Sequence, residues 1–122
     1  VPPAPLAEQL ANRRADKLRE INDAYQTELN VILREYPSAE TKTWDKQEAE
    51  ARAWNADNTV PTPLLDAVAN ARGMDKGELV RRVLAKADAW IELSGQATGK
   101  RQRLEDEISN AATLDALDAI EW

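Results

Sequence analysis

Between Leu6 and Tyr36 the chain has neither Gly nor Pro. The apolar positions Leu18, Ile21, Tyr25, Leu29, Ile32 and Tyr36 follow one another at steps of 3, 4, 4, 3 and 4. That spacing keeps them on one face of an α-helix at coiled-coil-like period. At 1.5 Å per residue the element is a rod of about 45 Å, which needs a partner of similar length to cover its apolar face. Pro37 ends it, because the residue before a proline is pushed out of helical geometry. Ser38 then reads as the N-cap of a second helix running through Trp54, mostly charged, with Trp44, Ala51 and Trp54 as its narrow apolar edge.

Asp57-Asn58 and Pro61-Thr62-Pro63 interrupt the pattern again. Thr62 followed by Pro63 has the form of an N-cap with proline at the first helical position, and Leu64, Leu65, Val68 and Ala71 predict a short helix that Gly73 closes. Asp75 and Glu78 stand at capping-box spacing, which opens a last long helix near Lys76. Its stripe is Val80, Val83, Leu84, Ala87 and Ile91, then Leu104 and Ile108, with a kink or break expected at Ser94-Gly95 or Thr98-Gly99, since each glycine costs roughly 1 kcal/mol relative to Ala. Thr113 caps a final short helix from Leu114 to Ile120. The fold expected is therefore all-α: a long antiparallel helical hairpin or small bundle, with short helices in the connection and at the C-terminus. Residues 1–5, rich in proline, read as a linker from a missing upstream domain, and residues 6–122 as a single α-helical domain.

Composition sharpens this picture. Ala contributes 21 residues while Leu, Ile and Val together contribute 24 and Phe none, so the core must be thin. The charges are mixed, with 16 basic and 22 acidic residues and a net of −6, which suits solvated helix faces and gives no electrostatic support for binding nucleic acid or an anionic membrane. No run is apolar for 18 residues, so no membrane span is expected. The absence of both Cys and His excludes disulfides, thiolate or imidazole metal sites, and Cys- or Ser/His-based nucleophiles.

What chemistry remains is sparse. Ala69 to Gly73 between two helices resembles the middle of a helix-turn-helix, with Arg81, Arg82 and Lys86 on the recognition helix, yet Asp66, Asp75, Glu78 and Asp88 lie in the same unit. The carboxylates Glu48/Glu50 and Glu105/Asp106/Glu107 are one or two residues apart and point in different directions, which is a charged surface rather than an acid/base pair. Asn55 to Asn58 lacks the Gly and the closing Glu of a calcium loop, and no glycine-rich phosphate loop is present. No catalysis, cofactor, metal or small-molecule substrate is expected.

Four tryptophans stand out in so thin a core. Trp44, Trp54 and Trp90 are suited to fastening the short helices onto the long ones, whereas an exposed Trp is a frequent interface anchor. Trp44, Trp54 and Trp122 are the candidate partner-binding residues. Trp122, beyond the last short helix, must dock either back onto its own chain or onto a partner.

Several runs carry a family resemblance: Trp44–Trp54 (WDKQEAEARAW), Thr62–Asp66 (TPLLD), Ala71–Leu79 (ARGMDKGEL), Lys86–Trp90 (KADAW), Gly99–Glu105 (GKRQRLE) and the closing Ile120–Trp122. Together, over residues from about 18 to 122, they resemble the C-terminal helical region of tailed-phage and prophage tail fibre assembly chaperones and related tail fibre-associated proteins. The resemblance implies a viral protein that binds the trimeric tail fibre near its receptor-binding end and helps it fold or assemble. It would act in the host bacterial cytoplasm during phage assembly, or stay on the virion tail fibre. A structural tail or fibre subunit ending in this domain is the alternative within the binding class, self-association is a further possibility, and a helix-turn-helix regulator is the alternative outside it. The family's small N-terminal β-rich domain has no counterpart in these residues. No residue role transfers from the family.

Overall fold

The computed structural model describes all 122 residues and is all-helical. Its elements are α1 (Leu6–Leu33), α2 (Ser38–Thr41), α3 (Trp44–Ala56), α4 (Pro63–Arg72), α5 (Lys76–Asn110) and α6 (Leu114–Asp118). The chain divides into two compact units: Val1–Ile32 with Ser94–Trp122, and Leu33–Leu93. The second unit is thus inserted in sequence between the two halves of the first, and α5 runs from one into the other at Ser94.

In the discontinuous unit, α1 lies against the C-terminal half of α5. Tyr25 meets Thr98, Asn22 meets Arg101, and Arg14 meets Ala111, so rising numbers on one helix match falling numbers on the other. This is an antiparallel helical pair closed by α6. Ile21, Leu104, Ile108, Leu117 and Ile120 form its buried core, with Leu10, Leu18, Ala111 and Trp122 packed around it. The Thr113 hydroxyl accepts from the Ala116 N–H at 3.0 Å and starts α6. Arg14 donates through Nη2 to the Ala111 carbonyl at 2.7 Å, satisfying the open end of α5 and placing a cation at a helix C-terminus. Arg13 pairs with Asp118 and holds α6 against α1.

The continuous unit is built around Ala51, Leu65, Ala69, Leu79 and Val80, flanked by Trp54, Val68, Met74, Val83 and Leu84. Its α3 and α4 are locked by one charged group. Glu50, only 5 % exposed, accepts from the Leu64 N–H at 3.0 Å and the Leu65 N–H at 3.1 Å. These donors belong to the first turn of α4, which has no intrahelical acceptors for them, and the carboxylate also meets the positive end of the helix dipole. Thr62 is the N-cap residue, but its hydroxyl makes no capping bond; it donates to Asp66 Oδ1 at 3.1 Å. At the other end of α4, Gly73 takes φ 65°. There the Met74 N–H reaches the Ala69 carbonyl and the Gly73 N–H reaches the Asn70 carbonyl, at 3.0 and 3.3 Å. This Schellman closure needs a left-handed residue, which glycine supplies without a Cβ clash. Asp75 then accepts from the Glu78 N–H at 3.1 Å, giving half of the expected capping box; Glu78 turns instead to Arg81 and Arg82.

Four sequence expectations are corrected. The first helix stops at Leu33, three residues short of Tyr36. The segment from Ser38 to Trp54 is two helices, and Ser38 is the first helical residue of α2 rather than a side-chain cap. The interruption falls at Lys42-Thr43, where the Thr41 and Thr43 hydroxyls donate back to the Ser38 and Glu40 carbonyls and compete with the helical ladder. The α5 helix continues unbroken through Gly95 and Gly99; both face open space, so their cost is borne by neighbouring turns rather than released in a break. Ile91, placed in the core stripe by its spacing, is 53 % exposed.

Leu65→Ala should cost about 2 to 5 kcal/mol by removing a fully buried side chain, while Ile91→Ala should stay within about 0.5 kcal/mol. Denaturant titration followed by circular dichroism measures both. By the same measurement Glu50→Ala should cost about 1 to 3 kcal/mol, because it strands the first N–H groups of α4 without an acceptor.

Candidate functional site

The tail of α1 and the start of α3 bring two aromatic rings together. The Tyr36 N–H donates to the Leu33 carbonyl at 3.1 Å, fastening Tyr36 to the end of α1. Trp44 is the first residue of α3, and its ring meets Tyr36 edge-on, with centroids 4.9 Å apart and planes at 80°. Trp90 on α5 adds a second edge-on contact with Trp44, at 6.4 Å and 65°. The Lys86 ammonium lies 5.3 Å from the Tyr36 ring centroid. All three rings are half-buried. Lys86, Trp90 and Leu93 are spaced by 4 and 3 residues, which puts them on one face of α5, and Leu93 is 42 % exposed. The result is a half-exposed aromatic cluster, extended by an aliphatic side chain and edged by a cation.

Trp54 has a different setting. It packs beside the core of its unit, with the Lys76 ammonium 5.1 Å from its ring. That ammonium also bonds Asp66 Oδ1 at 2.8 Å, and Asp66 in turn accepts from Thr62. The hydrogen bond from Lys76, aided by the one from Thr62, holds the Asp66 carboxyl below its ordinary value of 3.8. Trp54 therefore takes part in the joint between α4 and α5.

Trp122 docks back onto its own unit. Its ring meets Tyr25 at 6.1 Å and 71°, and the Lys100 ammonium sits 4.3 Å from its centroid. The Tyr25 hydroxyl shares a 2.8 Å hydrogen bond with Thr98. Of the three sequence candidates, Trp44 alone lies in a cluster of rings; Trp54 and Trp122 each stand under a lysine. Trp90, Tyr36 and Lys86 complete the cluster and were not singled out as partner-binding from sequence. The Lys86, Trp90, Leu93 spacing was readable, but nothing in it says that Trp44 lies opposite.

The basic residues of the helix-turn-helix reading are engaged locally. Arg81 and Arg82 both bond Glu78, whose carboxyl they hold below its ordinary value, Arg81 most strongly, and Lys86 covers Tyr36. No positive face uninterrupted by acids is left around them. A shallow, open groove of about 400 Å³ lies beside α6, lined by Arg103, Asp106, Glu107, Asn110, Ala111, Ala116 and Ile120. No group of three or more acidic residues is placed to hold a metal ion, and no helix is long and apolar enough to cross a membrane.

Asp66 provides a pH test of the Trp54 joint. Its folded pKa is depressed, so its stabilising contribution is fully present above the unfolded value and is lost as pH falls through the lower folded value. Asp66→Asn should therefore be less stable than the parent at neutral pH and should lose less further stability on acidification below about pH 4. Thermal melts across that range measure the difference.

The model of one protein family, the HI1402 helical domain, matches residues 85–122. The matched stretch takes in Trp90, the C-terminal half of α5, α6 and Trp122, which is under a third of the chain. No curated protein and no solved structure matches the chain.

Proposed function

We propose that this chain is a non-catalytic protein-binding module that engages a trimeric phage tail fibre and assists its folding or assembly in the host bacterial cytoplasm. The observation that supports a binding surface is the half-exposed cluster of Tyr36, Trp44 and Trp90 with Leu93 beside it. Aromatic rings packed edge-on against one another lose little freedom when a partner covers them, and Trp and Tyr are enriched in interface hot spots. The identity of the partner rests on the resemblance of residues from about 18 to 122 to fibre assembly chaperones. The physical task fits that role: a fibre tip exposes strand edges and apolar surface until its three chains meet, and an acidic helical partner can shield them. A net charge of −6 also keeps the module off nucleic acid in the same compartment.

Co-expression with the trimeric fibre, followed by size-exclusion chromatography with light scattering, should give a defined complex and more soluble fibre. The double variant Trp44→Ala, Trp90→Ala should weaken that complex by at least about 2 kcal/mol, roughly thirtyfold in affinity, with helicity retained. Unchanged affinity would assign the two rings to fastening α3 onto α5 alone. Absence of any complex with the parent chain would overturn the proposal.

A further inference from the structure

The groove beside α6 combines an apolar floor with an acidic edge. Arg103, Asp106 and Glu107 line it from α5, and the same face continues onto Ala111, whose N–H still bonds the Glu107 carbonyl at 3.0 Å. Spacings of 3 and 4 residues keep these positions together over two turns, about 12 Å. Ala116 and Ile120, one turn apart, line the groove from the α6 side. The face of α5 turned to α1 is a different one, marked by Arg101 on Asn22 and by Leu104 and Ile108 around Ile21. Every lining residue falls within Ser94–Trp122, so the groove belongs to the discontinuous unit alone.

From Leu104 to Trp122 the chain has six acids and no base. Arg101 neutralises Glu105, and Arg13 neutralises Asp118. Asp106 and Glu107 are exposed at the groove and take part in no ion pair within the chain, so a partner's cation can meet them without breaking an internal contact. Exposed ion pairs contribute little each, about 0 to 1 kcal/mol. Their consequence is selection: two free carboxylates beside an apolar floor favour a basic partner and repel an acidic one.

The shape of the partner follows from backbone accounting. An extended segment satisfies its amides by adding to a sheet edge, and this chain has no strand. A helix satisfies its own backbone and asks of a groove only an apolar strip, which Ile120 provides, and room to approach, which the small side chains of Ala111 and Ala116 leave.

We propose that this groove docks an amphipathic helix of a partner protein, its aliphatic stripe on Ala111, Ala116 and Ile120 and its flanking Lys or Arg residues on Asp106 and Glu107. The surface lies in the other unit from Tyr36, Trp44 and Trp90, and it does not rest on the fibre reading.

The probe is a labelled peptide of about 16 residues, long enough to be helical, with Ala and Leu on one face and Lys flanking them; its counterpart carries Glu in place of Lys. By fluorescence anisotropy the full chain should bind the Lys peptide at least about tenfold more tightly than the Glu peptide. Asp106→Asn with Glu107→Gln should weaken that binding at least about fivefold. Asp23→Asn with Glu28→Gln, the same change of charge on exposed acids of α1, should leave it within about twofold, which separates the groove from net charge. Ala116→Gln fills the floor from an exposed position and should also weaken binding at least about fivefold, with unchanged circular dichroism. No binding of the Lys peptide, equal affinity for the two peptides, equal effects of the α5 and α1 charge variants, or an unaffected Ala116→Gln variant would each overturn the proposal. None of these results bears on fibre binding, which the Trp44 and Trp90 variants read separately.

Discussion

A buried carboxylate closing the open end of a neighbouring helix is the constraint on which the continuous unit depends. Glu50 sits in the middle of α3, yet its acceptors serve Leu64 and Leu65 at the start of α4. A short helix of 10 residues beginning with proline has no strong reason to persist alone. Anchored at one end by Glu50 and at the other by the Schellman turn at Gly73, it has both ends satisfied and can press Leu65 and Ala69 into the core. Burial of a charge without such donors would be prohibitive, so the hydrogen bonds and the dipole are what make the arrangement tolerable.

The discontinuous unit solves the same problem with cations. Its two long helical segments and α6 meet where α5 ends, and Arg14 supplies the donor that the Ala111 carbonyl lacks. Arg13 holds Asp118 and Thr113 starts α6, so Leu117 and Ile120 are directed onto Ile21, Leu104 and Ile108. Both units thus combine a small aliphatic core with polar groups placed at helix ends. A chain with 21 alanines and no phenylalanine has little apolar area to bury, and fixing the helix termini limits the entropy that this small core must offset.

Aromatic residues extend these cores without being enclosed by them. Three cation–ring contacts, Lys76 with Trp54, Lys86 with Tyr36, and Lys100 with Trp122, let large rings sit at the boundary with solvent. Only at Tyr36, Trp44 and Trp90 do three rings gather, and there the exposed Leu93 continues the surface. This is the feature that gives a protein-binding reading its physical content. The family match over residues 85–122 reaches Trp90 but not Tyr36 or Trp44, so the cluster as a whole joins residues inside that match to residues outside it.

Periodicity and punctuation were enough to read the long helices and the boundaries at Thr62-Pro63, Gly73, Asp75 and Thr113, because those residues act on neighbours a few positions away, but not the early end of α1 at Leu33 or the split between α2 and α3. They were also enough to place Ile21, Leu65, Val80, Leu104 and Ile108 inward. What periodicity cannot see is competition at a distance. Ile91 has the right spacing for the core and is nevertheless 53 % exposed, while Glu50 looks like one more surface acid and is buried because α4 begins beside it. Likewise Trp44, Trp54 and Trp122 were equal candidates along the chain, and only the packing of α3 against α5 set Trp44 with Tyr36 and Trp90 while the lysines at 76 and 100 covered the other two. The sequence by itself determined the helical class and those helix ends that a local residue marks; the tertiary structure alone decided which polar and aromatic side chains meet across helices, because contacts such as Glu50 with Leu64 and Arg14 with Ala111 join residues 14 and 97 positions apart whose encounter no local pattern records.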